Sequence, residues 1–177
     1  MTYEELLENT EIRLRALEPS DVDLLYAWEN DTSIWDVSST IIPFSKNTIR
    51  NYINNSQSDI YEAKQLRLMI EDKSSQSTIG AIDLYDFDPH NRRAGIGIFV
   101  IKEFQNKGFA TKSLQLLLHY CKTMLLLHQV YAEVPCKNEI SLALFANAGF
   151  QQCGVRKDWL LRGQEYEDVV MMQKILL

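Results

Sequence analysis

The apolar positions change their period repeatedly along this chain. Glu11-Ile12-Arg13-Leu14-Arg15-Ala16 alternates polar with apolar, the pattern of a half-buried strand. Pro19-Ser20-Asp21 then opens a helix whose apolar positions include Val22, Leu25 and Trp28. Ser45 can cap a second helix carrying Ile49, Tyr52 and Ile53. Gln65 to Glu71 predicts a strand, Asp72-Lys73-Ser74-Ser75 a turn, and Thr78 to Tyr85 the returning hairpin strand. Asp86 to Arg93 is a polar loop with Pro89 and Asn91. Ala94 to Val100 is apolar on both faces, as central strands are, and its Gly95 and Gly97 point to a bulge or to close approach by a ligand. After Gln105-Asn106-Lys107-Gly108-Phe109-Ala110 a helix runs to about Met124, with Leu114, Leu117, Leu118 and Cys121 at i, i+3, i+4 and i+7. Val130 to Val134 predicts a strand, and Asn138 to Ala148 a helix stopped by Gly149. Two last strands flank Arg162-Gly163-Gln164. The order β-α-α-β-β-β-α-β-α-β-β belongs to the α/β class, a mixed sheet of about seven strands layered by helices. No repeat or linker interrupts residues 1–177, which therefore predict one domain.

Composition excludes several classes. The 177 residues carry a formal net charge of −6, so the chain lacks the positive field that binds nucleic acid. That balance suits a cationic partner such as a polyamine, though acidity also serves solubility alone. Apolar runs such as Met124 to Leu127 are far short of the roughly 20 residues of a membrane helix. The acidic, polar MTYEELLENTE start is unlike a secretory signal, so a cytoplasmic location is expected. Cys121, Cys136 and Cys153 are odd in number and far apart, as free thiols are in a reducing compartment. His119-x-Cys121 has no second pair to complete a tetrahedral site, so no metal is expected.

The QNKGFA junction is the chemically informative segment. A helix start presents unpaired N–H groups and a partial positive charge. Gly108 lets an anion approach the backbone, Lys107 adds charge and Thr111 a hydroxyl. Such a junction suits a pyrophosphate, but it is also what an ordinary turn needs. It is not a nucleotide P-loop, because no Gly-Lys-Ser/Thr follows at the required spacing.

With its context, the sequence resembles the GNAT superfamily of N-acetyltransferases. Gln105, Gly108 and Ala110 match that family's Gln/Arg-x-x-Gly-x-Gly/Ala signature. Glu133-Val134, Asn138, Ser141 and Gly149-Phe150 match a second one. Arg13-Leu14-Arg15-x-Leu17-x-Pro19-x-Asp21, Trp28-Glu29-Asn30-Asp31, His90-x-Arg92-Arg93-Ala94 and Gly163-x-x-Tyr166-x-Asp168 with Met171 resemble the branch holding spermidine and ribosomal-protein N-terminal acetyltransferases. The resemblance implies a mostly antiparallel sheet splayed between its fourth and fifth strands, with acetyl-CoA in the splay. Ile98, Phe99 and Val100 would bind the pantetheine arm, with Asn138 and Phe145 beside it. Gln105, Asn106, Lys107, Gly108, Phe109, Ala110 and Thr111 would cradle the pyrophosphate.

The same resemblance implies direct attack of a primary amine on the thioester. Glu133 is then the candidate general base, unless it is a strand glutamate facing solvent. Where many relatives carry a tyrosine as general acid, this chain has Phe145, which cannot donate a proton. Three readings follow: another group protonates the thiolate, CoA leaves as the thiolate, or the chain binds CoA with weak catalysis, which keeps open a non-catalytic module that binds acyl-CoA or polyamine. Glu18, Asp21, Asp23, Glu29 and Asp31, with Asp83 and Asp86, are candidates for a cationic substrate or effector, or solvated surface carboxylates. Trp28, Trp35 and Trp159 are expected in core or interface packing. The acceptor implied is a polyamine, or alternatively a protein N-terminus, and the assembly a homodimer or larger homo-oligomer.

Overall fold

The computed structural model describes residues 6–32, 35, 41–56 and 59–176. Its strands are β1 (Ile12–Arg15), β2 (Leu66–Asp72), β3 (Ser77–Asp88), β4 (Arg93–Val100), β5 (Gln129–Pro135), β6 (Gln151–Arg162) and β7 (Glu165–Ile175). Its helices are α1 (Val22–Glu29), α2 (Lys46–Asn55), α3 (Ile60–Ala63), α4 (Phe109–Thr123) and α5 (Glu139–Asn147), with 3-10 turns at Pro19–Asp21 and Lys102–Phe104. The sheet runs β1-β2-β3-β4-β5-β7-β6, which places β4 at its centre as its apolar faces require. Every pairing is antiparallel except β4 with β5.

Directly paired residues share a face of a pleated sheet, so the register sorts the side chains. On one face Leu68, Ile82, Ile96, Val130 and Ala132 pack in a single core with Leu114, Leu117 and Phe145 of α4 and α5. On the other, Met69 and Ala81 meet Leu25 of α1 and Ile49 and Ile53 of α2. This second face also carries the cross-strand rows Arg67↔Asp83↔Gly97 and Tyr85↔Gly95↔Tyr131. On α4, Cys121 is fully enclosed and burial pushes its thiol up to about 12, while Cys136 and Cys153 are exposed.

Several expectations change. β3 is longer than Thr78 to Tyr85, because a bulge between Tyr85 and Asp88 takes up Asp86 in a left-handed conformation (φ 49°). The polar loop shrinks to a turn in which Asn91 donates its N–H and side-chain amide to Asp88 at 2.9 and 2.7 Å. The four-residue α3 is too short to show a period, and rests on Asp59 accepting from the Tyr61 N–H at 2.7 Å. Gly95 serves packing, not a bulge: a Cβ there would lie 2.2 Å from the Tyr85 ring. Trp28 packs against the core beneath α1 and α2, with its ring edge-on to Phe99 at the cleft, while Trp159 is 54% exposed.

Asp21 and Asp23, read as possible cation ligands, already have partners. Asp23 pairs with Lys46 on the surface at 2.8 Å. Asp21 is buried and binds Arg15 through both oxygens at 2.8 and 2.9 Å, while accepting the Glu18 N–H. Burial alone would raise its pKa, but the Arg15 hydrogen bonds, the Glu18 N–H and the Arg15 charge together hold it below the ordinary value. A depressed folded-state pKa gives stability that is complete above the unfolded value of about 3.9 and is lost as pH falls through the folded one. Asp21→Asn is therefore expected to lower the unfolding free energy by roughly 1.5–3 kcal/mol at pH 7. The difference from wild type should narrow below about pH 4 in urea titrations, and a constant difference would show that the charge is irrelevant.

Candidate functional site

β4 and β5 pair only from Arg93 to Gly95 against Gln129 to Tyr131. Beyond that point β4 follows β3 as far as Gly80↔Val100, and β5 follows β7 as far as Pro135↔Val169. The sheet thus opens into a wedge with Gly97 and Phe99 on one lip and Glu133 on the other. Three cavities of about 270, 700 and 370 Å³ line the opening. The first two share Trp28, Ile98, Phe99, Asn138 and Ser141; the second and third share Val100, Gln105, Ala110, Ile140 and Leu144. They form one channel from Glu133 to the start of α4.

At the α4 end, Gly108 adopts φ 82°, a conformation that favours glycine, and it precedes a helix with no acidic residue in its first turn. The first bond of that helix runs from the Lys112 N–H to the Gly108 carbonyl at 3.1 Å. The N–H groups of Phe109, Ala110 and Thr111 therefore have no helical acceptor, and all three residues line the third cavity with Asn106. Lys107 and Gln105 stand beside this cradle. The Lys107 ammonium lies over the ring of Phe104, itself part of the third cavity's wall, at 5.0 Å. Gln105 lines the channel, but its amide nitrogen donates to the Val100 carbonyl at 2.8 Å, bracing the turn between β4 and α4.

Midway, Asn138 caps α5 by accepting the Ser141 N–H at 3.1 Å, and it also lines the channel. Asp31 lines this section as well. Ser141 and Phe145 are four residues apart and so share one helix face. Both line the first cavity, and Phe145 is sealed there at 3% exposure, edge-on to Phe150 at 5.0 Å.

The first cavity gathers Glu29 from α1, Asp83 from β3 and Glu133 from β5. Sequence reasoning missed the arginine among them. Arg67 donates to Asp83 at 2.7 and 3.0 Å and to Glu29 at 2.8 Å, and its guanidinium faces the Tyr52 ring at 5.5 Å. Burial opposes its charge, yet Asp83 and Glu29 hold the pKa far above the usual value. Its signal was the alternation within β2, which puts Arg67 on the face of Met69 rather than of Leu68. Glu133 is 29% exposed and pairs with Arg156 of β6 at 2.9 Å. Tyr85 and Tyr131 stand edge to face nearby at 5.7 Å. Burial, and then the surrounding carboxylates, raise both phenols, that of Tyr131 to about 12. Glu18 and Asp86 lie outside the channel; Glu18 belongs to the cap of the Pro19–Asp21 turn, and Asp86 accepts from the Tyr131 hydroxyl at 3.3 Å. No cluster of metal-ligating side chains occurs among the described residues, and no described helix is long and apolar enough to cross a membrane.

Comparison with known proteins agrees with this geometry. A family model described as an acetyltransferase (GNAT) domain matches residues 11–151. The spermidine N(1)-acetyltransferase of Vibrio cholerae is 27% identical over 165 residues, covering 93% of this chain and 92% of its own length. The putative ribosomal N-acetyltransferase YdaF of Bacillus subtilis is also 27% identical, over 92% of this chain and 90% of its own. A crystal structure of the Vibrio cholerae spermidine N-acetyltransferase in complex with CoA and spermine superposes with a TM-score of 0.86 at 26% identity, over 95% of this chain and 97% of that one. The wedge, the glycine-led helix and the family match together make this chain a member of the GNAT N-acetyltransferases, enzymes that use acetyl-CoA.

Proposed function

We propose that this enzyme acetylates a primary amine of a polyamine at the Glu133 end of the channel. The observation that carries this reading is the first cavity itself: three carboxylates and one arginine meet where the wedge opens. Arg67 engages Glu29 and Asp83 and Arg156 pairs with Glu133, so the three carboxylates outnumber the guanidinium groups by one, a balance that favours a cationic acceptor. The similarity to spermidine acetyltransferases supports the same acceptor.

The chain's own groups divide the work. The α4 N–H groups and Gly108 hold the diphosphate, and Ile98, Phe99 and Val100 offer a strand edge to the pantetheine arm, joined by Asn138. Acetyl-CoA supplies an activated thioester, whose thiol (pKa about 8.5) is a tolerable leaving group at neutral pH. Glu133 takes the amine proton. Phe145 puts carbon where a general acid would stand, and Ser141, one turn earlier on the same face, would supply the hydroxyl that hydrogen-bonds the departing sulfur.

A second acceptor class has one observation in its favour. Arg67 already engages Glu29 and Asp83, which suits an acceptor with a single charged amine, such as a protein N-terminus. Release of free thiol from acetyl-CoA, measured over polyamines, simple amines, amino acids and N-terminal peptides, tests both. Polyamine turnover with the highest kcat/KM is expected. Preferred peptides would favour the second class, and binding of acetyl-CoA without turnover of any amine would make the chain a binding module.

A further inference from the structure

The geometry points to Arg156 as the residue that positions Glu133 for catalysis, held in place by Trp159 and by a β-bulge that Asp168 pins. This inference rests on Glu133 being the general base.

Glu133, Met171 and Gly154 lie in one row across β5, β7 and β6, and Arg156, two residues beyond Gly154, shares their face. Arg156 therefore reaches Glu133 from two strands away, over β7. Its Nη1 binds Oε1 of Glu133 at 2.9 Å. The carboxylate itself lines the acceptor cavity. Arg156 thus holds the Glu133 carboxylate at the cavity wall.

A long side chain spanning two strands needs its own support, since fixing an untethered arginine costs rotamer entropy. Trp159 provides it: the Arg156 guanidinium lies 4.7 Å from the centre of the indole ring. Residues 156 and 159 would point to opposite faces in a regular strand. They meet because the β6–β7 register shifts between Arg156 and Leu160, with Asp158 in the left-handed region at φ 50°. Asp168 secures this bulge from β7. Its Oδ1 accepts the Asp158 N–H at 3.0 Å and its Oδ2 accepts from the Lys157 ammonium at 2.7 Å. Its backbone carbonyl accepts the Cys136 N–H at 3.0 Å, just past the end of β5, so one residue ties the bulge to the strand that carries Glu133. The Gly163-x-x-Tyr166-x-Asp168 segment thereby acquires a role that its distance from the channel conceals.

A double-mutant cycle on the full-length enzyme with its preferred amine tests the inference. Arg156→Met should lower kcat roughly tenfold, leave the KM for acetyl-CoA unchanged, and be partly rescued by Arg156→Lys. In a Glu133→Gln background the same substitution should cost less than about twofold, because the group it positions is gone. Trp159→Ala removes an exposed ring and is expected to fold; it should reproduce a smaller part of the Arg156→Met loss, again only when Glu133 is present. Equal losses in both backgrounds would make Arg156 a structural residue and overturn the inference, as would wild-type kcat in Arg156→Met. If Arg156→Met does not fold, the Trp159→Ala cycle decides by the same criterion. Wild-type turnover that survives Glu133→Gln would overturn this inference and the base assignment together while leaving acetyl transfer intact. Absence of turnover in the wild type would instead remove the enzymatic reading on which the inference rests.

Discussion

Glu133→Gln is expected to bind acetyl-CoA like the wild type while losing roughly 100- to 10,000-fold in kcat, the usual contribution of a general base. Affinity is preserved because Glu133 lines only the first cavity, whereas the diphosphate and pantetheine sections are built by the α4 start, β4 and Asn138. Glutamine keeps the size of the side chain and its contact with Arg156, so the loss reports proton transfer and not packing. It should shrink as pH rises, because a larger share of the amine is then already neutral. Steady-state kinetics between pH 6 and 10, beside calorimetric titration with acetyl-CoA, gives both readouts. A loss below about threefold in a folded variant would move the proton acceptor elsewhere. Asp83 would be the next carboxylate to test, with the complication that Asp83→Asn also frees Arg67 from its bidentate partner.

How much of this was legible depends on how far apart in sequence the cause lies. The QNKGFA junction could be read locally, because a strand period gives way to a helix period across a glycine, and the structure puts that glycine at φ 82° at the head of α4. Glu133 and Asn138 were legible for the same reason, as positions counted from a strand and a helix cap. The unread features need the register between distant strands. Gly95 looks like a ligand contact until Tyr85, ten residues earlier, is found lying on it. Arg67 looks like a surface charge until β2 is set against β3 and Asp83 comes opposite. Glu29 and Asp83 were singled out as candidates for a cationic substrate and both line the first cavity, but the arginine that engages both was not singled out. Lys107 was assigned by its neighbours in the motif, and nothing local says that its ammonium lies over Phe104. The bulge at Arg156 to Leu160 is hidden because Lys157-Asp158 reads as ordinary strand polarity, and its cause, Asp168, lies on the returning strand.

Gly108→Asp should abolish acetyl-CoA binding, by at least about 100-fold in Kd, while the protein remains folded. Two effects act together. A side chain at φ 82° sits in the left-handed region, where L residues lose roughly 1–2 kcal/mol. A carboxylate at the head of α4 also occupies the space that the diphosphate would take, and repels it across N–H groups that can serve only one anion. Folding is expected to survive, because a built Cβ meets nothing closer than the flexible end of Lys112, at 3.8 Å, and aspartate is itself welcome at a helix start. Gly108→Ala separates the two effects, since it carries the backbone strain without the charge and should bind only moderately more weakly. Lys107→Ala should be milder still, as its ammonium lies over Phe104 and outside the cavity lining. Thermal unfolding reads all three: at about 100 times its Kd, acetyl-CoA should stabilise the wild type by roughly 2.7 kcal/mol and leave the Asp variant unmoved. A folded Gly108→Asp protein with the wild-type thermal shift would mean that the diphosphate lies elsewhere, and that the turn before α4 is only a turn.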